Sequence, residues 1–105
     1  IEVANMPTTA EAVEYFLENG VIVAPSKAVN AGGVCVSGLE MSQNSQRLAW
    51  TSEKVDEMLK NAMKNIYDIS VDAAERYGMG YDLIAGANIA GFEKVADAML
   101  SQGVY

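Results

Sequence analysis

The order of apolar and polar positions near the start of the chain predicts a strand, a helix and a second strand. Glu2–Asn5 is a short apolar run that ends just before a proline, and Val21–Ala24 is entirely apolar between a glycine and a proline. The intervening segment has its apolar residues on one helical face: Ala12, Val13, Phe16 and Leu17. Thr8 is expected to cap this helix and Asn19–Gly20 to end it.

This βαβ pattern predicts two parallel strands joined by a right-handed crossover. A fully apolar parallel strand is normally covered on both faces, and two strands alone are marginally stable. The pattern therefore predicts that more of the sheet lies before Ile1, so that the chain is a fragment of a longer protein.

The remaining residues predict three helices, with apolar side chains spaced three and four apart. The first is expected over Val34–Leu48. The second begins with Thr51 or Ser52 as its cap and ends near Tyr77, and the third runs from Asp82 to a glycine cap at Gly103. Gly86 and Gly91 interrupt the third pattern, which indicates either close approach of another backbone or a later helix start, near Asn88.

A glycine-rich loop is expected between the two parts, at Asn30–Gly33. Adjacent Gly32 and Gly33 permit positive φ and close approach of another group. If a helix starts after them, the amides of Val34 to Ser37 are free to attract an anion such as a carboxylate. A simple packing turn explains the same two glycines, because short glycine motifs occur often by chance.

Composition and charge exclude several function classes. The chain has seven basic and fourteen acidic residues, a formal net charge of −7 that argues against a nucleic-acid surface. It has no histidine, which excludes Ser-His or Cys-His catalysis and a histidine metal site within these residues. The single cysteine, Cys35, predicts a reducing compartment such as the cytoplasm. No apolar run is long enough for a membrane span.

Three motifs in the same order resemble the C-terminal part of the hexameric bacterial glutamate dehydrogenases. They are Ala4–Thr9, the stretch from Pro25 to Asn44, and Gly86–Phe92. The resemblance implies a much longer, hexameric enzyme with an α/β, Rossmann-like nucleotide domain. It also implies interconversion of L-glutamate with 2-oxoglutarate and ammonia, with NAD or NADP as the cofactor.

The resemblance also implies roles for four residues. The serine that matches Ser37 binds the side-chain carboxylate of the substrate, and a backbone group of the valine that matches Val34 lines the same pocket. The asparagine that matches Asn30 lies between substrate and nicotinamide, and that matching Asn5 contacts the nicotinamide riboside. Related leucine and phenylalanine dehydrogenases have an apolar residue where Ser37 stands. The simpler alternatives are a Ser37 hydroxyl bonded within its own helix and asparagines that stabilise turns.

The sequence thus predicts a mainly α chain with a short βαβ remnant and three helices after a glycine-rich loop. Residues 1–33 are assigned to the end of a dinucleotide-binding domain, and 34–105 to a C-terminal helical segment that packs toward the substrate domain. No catalytic or metal-binding residue is assigned here, so the fragment alone is expected to be inactive. The alternatives are a free-standing acidic helical module that binds a partner protein and another amino-acid dehydrogenase of the leucine or phenylalanine type.

Overall fold

The chain is mainly helical in a computed structural model, which describes residues 1–103. Its five helices are α1 (Ala10–Glu18), α2 (Ser26–Val29), α3 (Ala31–Gln46), α4 (Ser52–Arg76) and α5 (Leu83–Gln102). The prediction of a mainly α chain is confirmed, as are the helix in the first part and the three long helices after residue 30. Residues 104 and 105, the last two of the predicted helical segment, lie outside the described residues.

The predicted βαβ remnant is wrong, because residues 1–103 contain no strand. The two segments expected to be strands do lie side by side, and the Glu2 amide donates to the Ala24 carbonyl over 3.3 Å. That single bond is too little to form a ladder, and Val3 and Ile22 are largely exposed. A two-stranded sheet is marginal without further partners, so apolar sequence alone does not produce one here.

α1 forms where its apolar periodicity predicted it, with the cap one residue later than expected. The Thr9 hydroxyl, rather than that of Thr8, accepts a hydrogen bond from the Ala12 amide over 3.3 Å. The helix ends at Asn19, and Gly20 follows with a φ of 72°, a left-handed conformation that favours glycine. No residue of α1 is buried, so its amphipathic pattern is not matched by a packed face in this chain.

The predicted glycine-rich loop is also wrong. Gly32 and Gly33 lie inside the first turn of α3, neither has positive φ, and α2 precedes them with only Asn30 between the two helices. The helix therefore begins at Ala31 rather than Val34, and it ends at Gln46, where Arg47 takes a left-handed φ of 56°. Glycine favours turns but also occurs inside helices, so the two glycines led to a wrong prediction of where this helix starts.

α4 and α5 form the main packed unit, and local signals predicted most of their boundaries. The Thr51 hydroxyl caps α4 by accepting from the Lys54 amide over 3.3 Å. α4 ends with Tyr77 as its C-cap, and Gly78 follows with a φ of 72°. The Asp82 carboxylate caps α5 by accepting from two backbone amides, at 2.9 and 3.0 Å.

A glycine allows α5 to approach α4 at backbone distance. A Cβ placed on Gly86 would lie 1.9 Å from the Ser70 carbonyl oxygen and 3.1 Å from the Ala74 Cβ. The prediction of close approach is thus confirmed at Gly86. It is wrong at Gly91, where a Cβ would meet nothing within 4 Å. The alternative of a helix start near Asn88 is wrong as well, because α5 begins at Leu83.

The core is small and consists largely of short side chains. Ala73 and Ala74 are fully buried, and Val23 and Leu83 nearly so, yet no large side chain among residues 1–103 is completely enclosed. The radius of gyration is 16.4 Å, whereas about 13 Å is typical of a compact domain of this length. Many apolar side chains on α1, α3 and α5 therefore face solvent in this chain. None of the described helices has the length and apolar character needed to cross a membrane.

Candidate functional site

The residues predicted to bind ligands share one open face of α3. Each residue advances an α-helix by about 100°, so Asn30, Gly33, Val34 and Ser37 fall within roughly one third of the helix circumference. Val34 is 76% exposed, Ser37 is exposed, and a Cβ on Gly33 would meet no atom within 4 Å. This face, defined by these four residues, is called the open face of α3 below.

Asn5 joins the open face through its side chain. The Asn30 side-chain amide donates a hydrogen bond to the Asn5 side-chain oxygen, which links the N-terminal segment to the start of α3. Nearby, the Met6 amide donates to the buried Ser26 hydroxyl over 3.3 Å, and Met6 has a left-handed φ of 49°. The structure thus brings the four predicted site residues to one end of α3. They are Asn5, Asn30, Val34 and Ser37.

Ser26 is a contributor that sequence reasoning did not identify. It is the first residue of α2, it is buried, and its hydroxyl holds the chain that carries Asn5. Its position gives no local signal for this role, because Pro25 is the cap of α2 and no side chain caps that helix. That the same hydroxyl serves a segment 20 residues earlier depends on the tertiary structure.

The hydrogen bonding of Ser37 follows the simpler alternative in this structure. Its hydroxyl donates to the Gly33 carbonyl oxygen over 3.2 Å, one turn back along α3. The amides from Val34 to Ser37 lie within the helix, beyond its first three residues, so the prediction that they are free amides at a helix start is wrong. The side chain of Ser37 is exposed, so rotation about χ1 can release its hydroxyl for a ligand.

The titratable groups with shifted pKa lie away from the open face. The pKa of Glu93 on α5 is lowered chiefly by the Arg76 guanidinium on α4, and the pKa of Arg76 is raised by Glu93 and Asp72. On α1, hydrogen bonds from its own backbone amide and from Thr9 lower the pKa of Glu11. The open face itself presents a hydroxyl, carboxamides and backbone groups. Such groups suit binding and orientation of a polar ligand.

A cavity with a volume of about 830 Å³ is a different feature. It lies between the N-terminal segment, α1, α2 and the facing sides of α4 and α5, and none of the four predicted site residues lines it. Glu2 does line it, and one carboxylate oxygen of Glu2 is buried without a hydrogen-bond partner. We place the candidate site at the open face rather than in this cavity, because the predicted polar groups converge only at the open face.

Comparison with known proteins assigns the chain to a family. The model of the Glutamate/Leucine/Phenylalanine/Valine dehydrogenase family matches residues 1–103. The chain belongs to this family. It is 64% identical to the NAD-specific glutamate dehydrogenase of Clostridium symbiosum over 105 residues, covering 99% of this chain. It is 56% identical over 103 residues to the NADP-specific glutamate dehydrogenase of Escherichia coli strain K12, covering 98% of this chain.

Solved structures of the family have the same fold over this region. A glutamate dehydrogenase structure that is 63% identical superposes with a TM-score of 0.90, covering 98% of this chain and 23% of that one. The glutamate dehydrogenase of Plasmodium falciparum, 54% identical, gives a TM-score of 0.89 over 97% of this chain and 22% of its own. The helical arrangement described above is therefore similar to that of part of these solved glutamate dehydrogenases.

The chain spans about a quarter of its relatives, which matters for function. It covers 23% of the length of both the Clostridium symbiosum and the Escherichia coli enzymes. The NAD-specific and the NADP-specific relative match it similarly, at 64% and 56% identity. The resemblance to glutamate dehydrogenases is confirmed, and the match is consistent with a fragment of such an enzyme.

Proposed function

We propose that this chain forms part of the glutamate-binding site of an NAD- or NADP-dependent glutamate dehydrogenase. The whole enzyme interconverts L-glutamate with 2-oxoglutarate and ammonia. The cofactor supplies the hydride chemistry, and the residues of this chain bind and orient the reactants. The observation that carries the proposal is the convergence of Asn30, Val34 and Ser37 on the open face of α3, with Asn5 bonded to Asn30.

Each of these residues has a distinct role in the proposed site. The Ser37 hydroxyl turns from the Gly33 carbonyl to donate to the side-chain carboxylate of glutamate, and a backbone group of Val34 lines the same pocket. Asn30 lies between substrate and nicotinamide, and Asn5 contacts the nicotinamide riboside. The Asn5–Asn30 hydrogen bond supports this arrangement, because it couples the cofactor-binding residue to the substrate-binding one.

The division of the chain follows from the same proposal. Residues 1–33 form the end of the dinucleotide-binding domain, and 34–105 form the C-terminal helical segment that packs toward the substrate domain. The many apolar side chains of α1, α3 and α5 that face solvent support contacts with the rest of a longer enzyme. We place that enzyme in the cytoplasm as a homo-hexamer. The catalytic lysine and aspartate of the family lie outside these residues, so this chain alone is inactive.

Substrate choice within the family rests on Ser37. The family includes leucine, phenylalanine and valine dehydrogenases, so membership alone does not select glutamate. A hydroxyl on the open face provides a donor for a carboxylate, whereas an apolar residue there would suit an apolar side chain. A free-standing partner-binding module has less support, because the chain matches the family along residues 1–103.

The test is Ser37→Ala in the full-length enzyme, with steady-state kinetics for glutamate. A hydrogen bond to a charged group contributes about 1.5–3 kcal/mol, so the KM for glutamate is expected to rise about ten- to a hundredfold. Ser42→Ala is the matched control, since Ser42 also donates to the carbonyl one turn back, at 2.9 Å, but lies about 140° round α3 from Ser37.

Two outcomes would contradict the proposal. An unchanged KM for glutamate in Ser37→Ala would remove Ser37 from the pocket. Activity of the unaltered enzyme on leucine or phenylalanine in place of glutamate would assign it to another member of the family.

A further inference from the structure

We propose that Gly32 and Met63 form a positioning contact that sets where the open face of α3 lies in the site. Neither residue touches the ligands in this proposal. They act through α3, whose opposite side rests on α4. The inference deepens the proposed function and rests on it, because it concerns the same glutamate-binding site.

The contact is close and specific to one glycine. A Cβ on Gly32 would lie 3.2 Å from the Met63 Sδ and 3.5 Å from the Leu59 Cδ1, both on α4. The first distance is shorter than ordinary van der Waals contact, so the absence of a side chain at Gly32 permits α3 to approach α4 this closely. Gly33 and Gly38, on the same helix, would meet nothing within 4 Å. Close approach therefore accounts for glycine at residue 32 and not at the other two.

Gly32 lies on the side of α3 opposite the site residues. At about 100° per residue, it is roughly 160° from Asn30 and Val34 and roughly 140° from Ser37. If α3 is pushed away from α4 at Gly32, the open face on the opposite side therefore moves by a similar distance. Because an α-helix is stiff over two turns, Asn30, Val34 and Ser37 move together rather than separately.

The start of α3 is held from two directions. Asn30 is bonded to Asn5 on the open side, and Gly32 rests on Met63 and Leu59 on the other. The first tie is a hydrogen bond between solvent-accessible side chains, and the second is a steric stop. Together they set the distance between the start of α3 and α4. This distance determines where the open face lies relative to a bound carboxylate. Displacements well below 1 Å matter for groups that orient reactants.

The experiment uses the full-length enzyme with Gly32→Ala, Met63→Val and the double variant. The added methyl of Gly32→Ala is expected to displace α3 and raise the KM for glutamate about tenfold. Val retains the Cβ of Met63 and ends at its Cγ atoms, so it removes the Sδ that the new methyl meets. The double variant is expected to return the KM to within about twofold of that of Met63→Val.

Controls separate positioning from loss of folding. Gly38→Ala adds the same methyl to the same helix in open space and is expected to leave the KM unchanged. A purely structural role of Gly32 would lower the thermal midpoint and the yield of active enzyme, without changing the KM of the folded fraction. If Gly32→Ala does not fold, Met63→Val alone is the test, with an expected rise in KM of about threefold as the stop is removed.

The outcomes distinguish this inference from the proposed function. A raised KM in Ser37→Ala with an unchanged KM in Gly32→Ala would overturn the positioning contact and leave the binding site in place. No rescue in the double variant would also overturn it. An unchanged KM in both Ser37→Ala and Gly32→Ala would overturn the proposed site itself.

Discussion

The Asn30 side-chain amide donates to the side-chain oxygen of Asn5, which lies 25 residues earlier in the chain. This bond joins an N-terminal segment without regular structure to the residue that precedes α3. It also orients both carboxamides, since Asn30 uses a donor and Asn5 an acceptor. The remaining acceptor of Asn30 and the remaining donor of Asn5 are then available to ligands.

The direction of this bond predicts an asymmetry between two conservative changes. Asn5→Asp retains the acceptor, so the pair is expected to persist with a small effect on the KM for glutamate, whereas loss of the free Asn5 donor is expected to raise the KM for the cofactor. Asn30→Asp removes the donor and sets carboxylate oxygens against the Asn5 oxygen. We therefore expect the KM for the cofactor or for glutamate to rise about tenfold in Asn30→Asp. Equal effects of the two substitutions on both KM values would contradict the direction of the bond.

The backbone contact at Gly86 predicts a strong effect on stability. Ala in its place would put a Cβ 1.9 Å from the Ser70 carbonyl oxygen, so α4 and α5 must separate. Overpacking of this kind costs about 1–3 kcal/mol in the free energy of unfolding. Gly91→Ala is the control on the same helix, because its Cβ would meet nothing within 4 Å and the change raises helix propensity.

Thermal unfolding of the enzyme is the measurement for both glycine variants. The melting midpoint is expected to fall clearly in Gly86→Ala and to stay constant or rise in Gly91→Ala. A Gly86→Ala enzyme as stable as the unaltered one would show that the two helices are not in backbone contact.

The ion pair between α4 and α5 predicts a pH-dependent contribution to stability. The Glu93 carboxylate accepts from both terminal nitrogens of Arg76, at 2.7 and 2.8 Å, and from the Tyr77 hydroxyl at 3.1 Å. The Arg76 guanidinium is the main cause that lowers the pKa of Glu93 below its ordinary value of 4.5. The folded state thus releases this proton more readily than the unfolded state, so the pair stabilises the fold above that value. The contribution is lost as the pH falls through the lowered pKa.

Glu93→Gln tests this expectation. The variant should melt at a lower temperature than the unaltered enzyme at neutral pH, and the difference should shrink when both are measured well below pH 4.5. The effect is expected to be small, because the pair is partly solvated. Glu75→Gln, on the last turn of α4 and without a described ion pair, serves as the control. A difference in midpoint that does not depend on pH would rule out ionisation of Glu93 as its source.

Local sequence determined most of the helical boundaries. Thr51, Asp82, Asn19–Gly20 and Gly103 act on amides and carbonyls within a few residues of themselves, so their roles could be read without the fold. The motifs around Ser37 are likewise specific enough to indicate the family from the sequence alone. The same short-range reasoning failed at Thr8, by one residue, because adjacent threonines offer the same chemistry.

The tertiary structure decided what depends on distant partners. Apolar runs at Glu2–Asn5 and Val21–Ala24 do not form strands here, because a stable sheet needs several paired neighbours and the two runs share a single backbone hydrogen bond. Gly32 serves a helix contact rather than a loop, because Met63 and Leu59 lie against it from another helix. The sequence named Asn5, Asn30, Val34 and Ser37 one by one. Asn30, Val34 and Ser37 share a face because of the helical repeat of α3, whereas Asn5 reaches them only through a hydrogen bond across 25 residues.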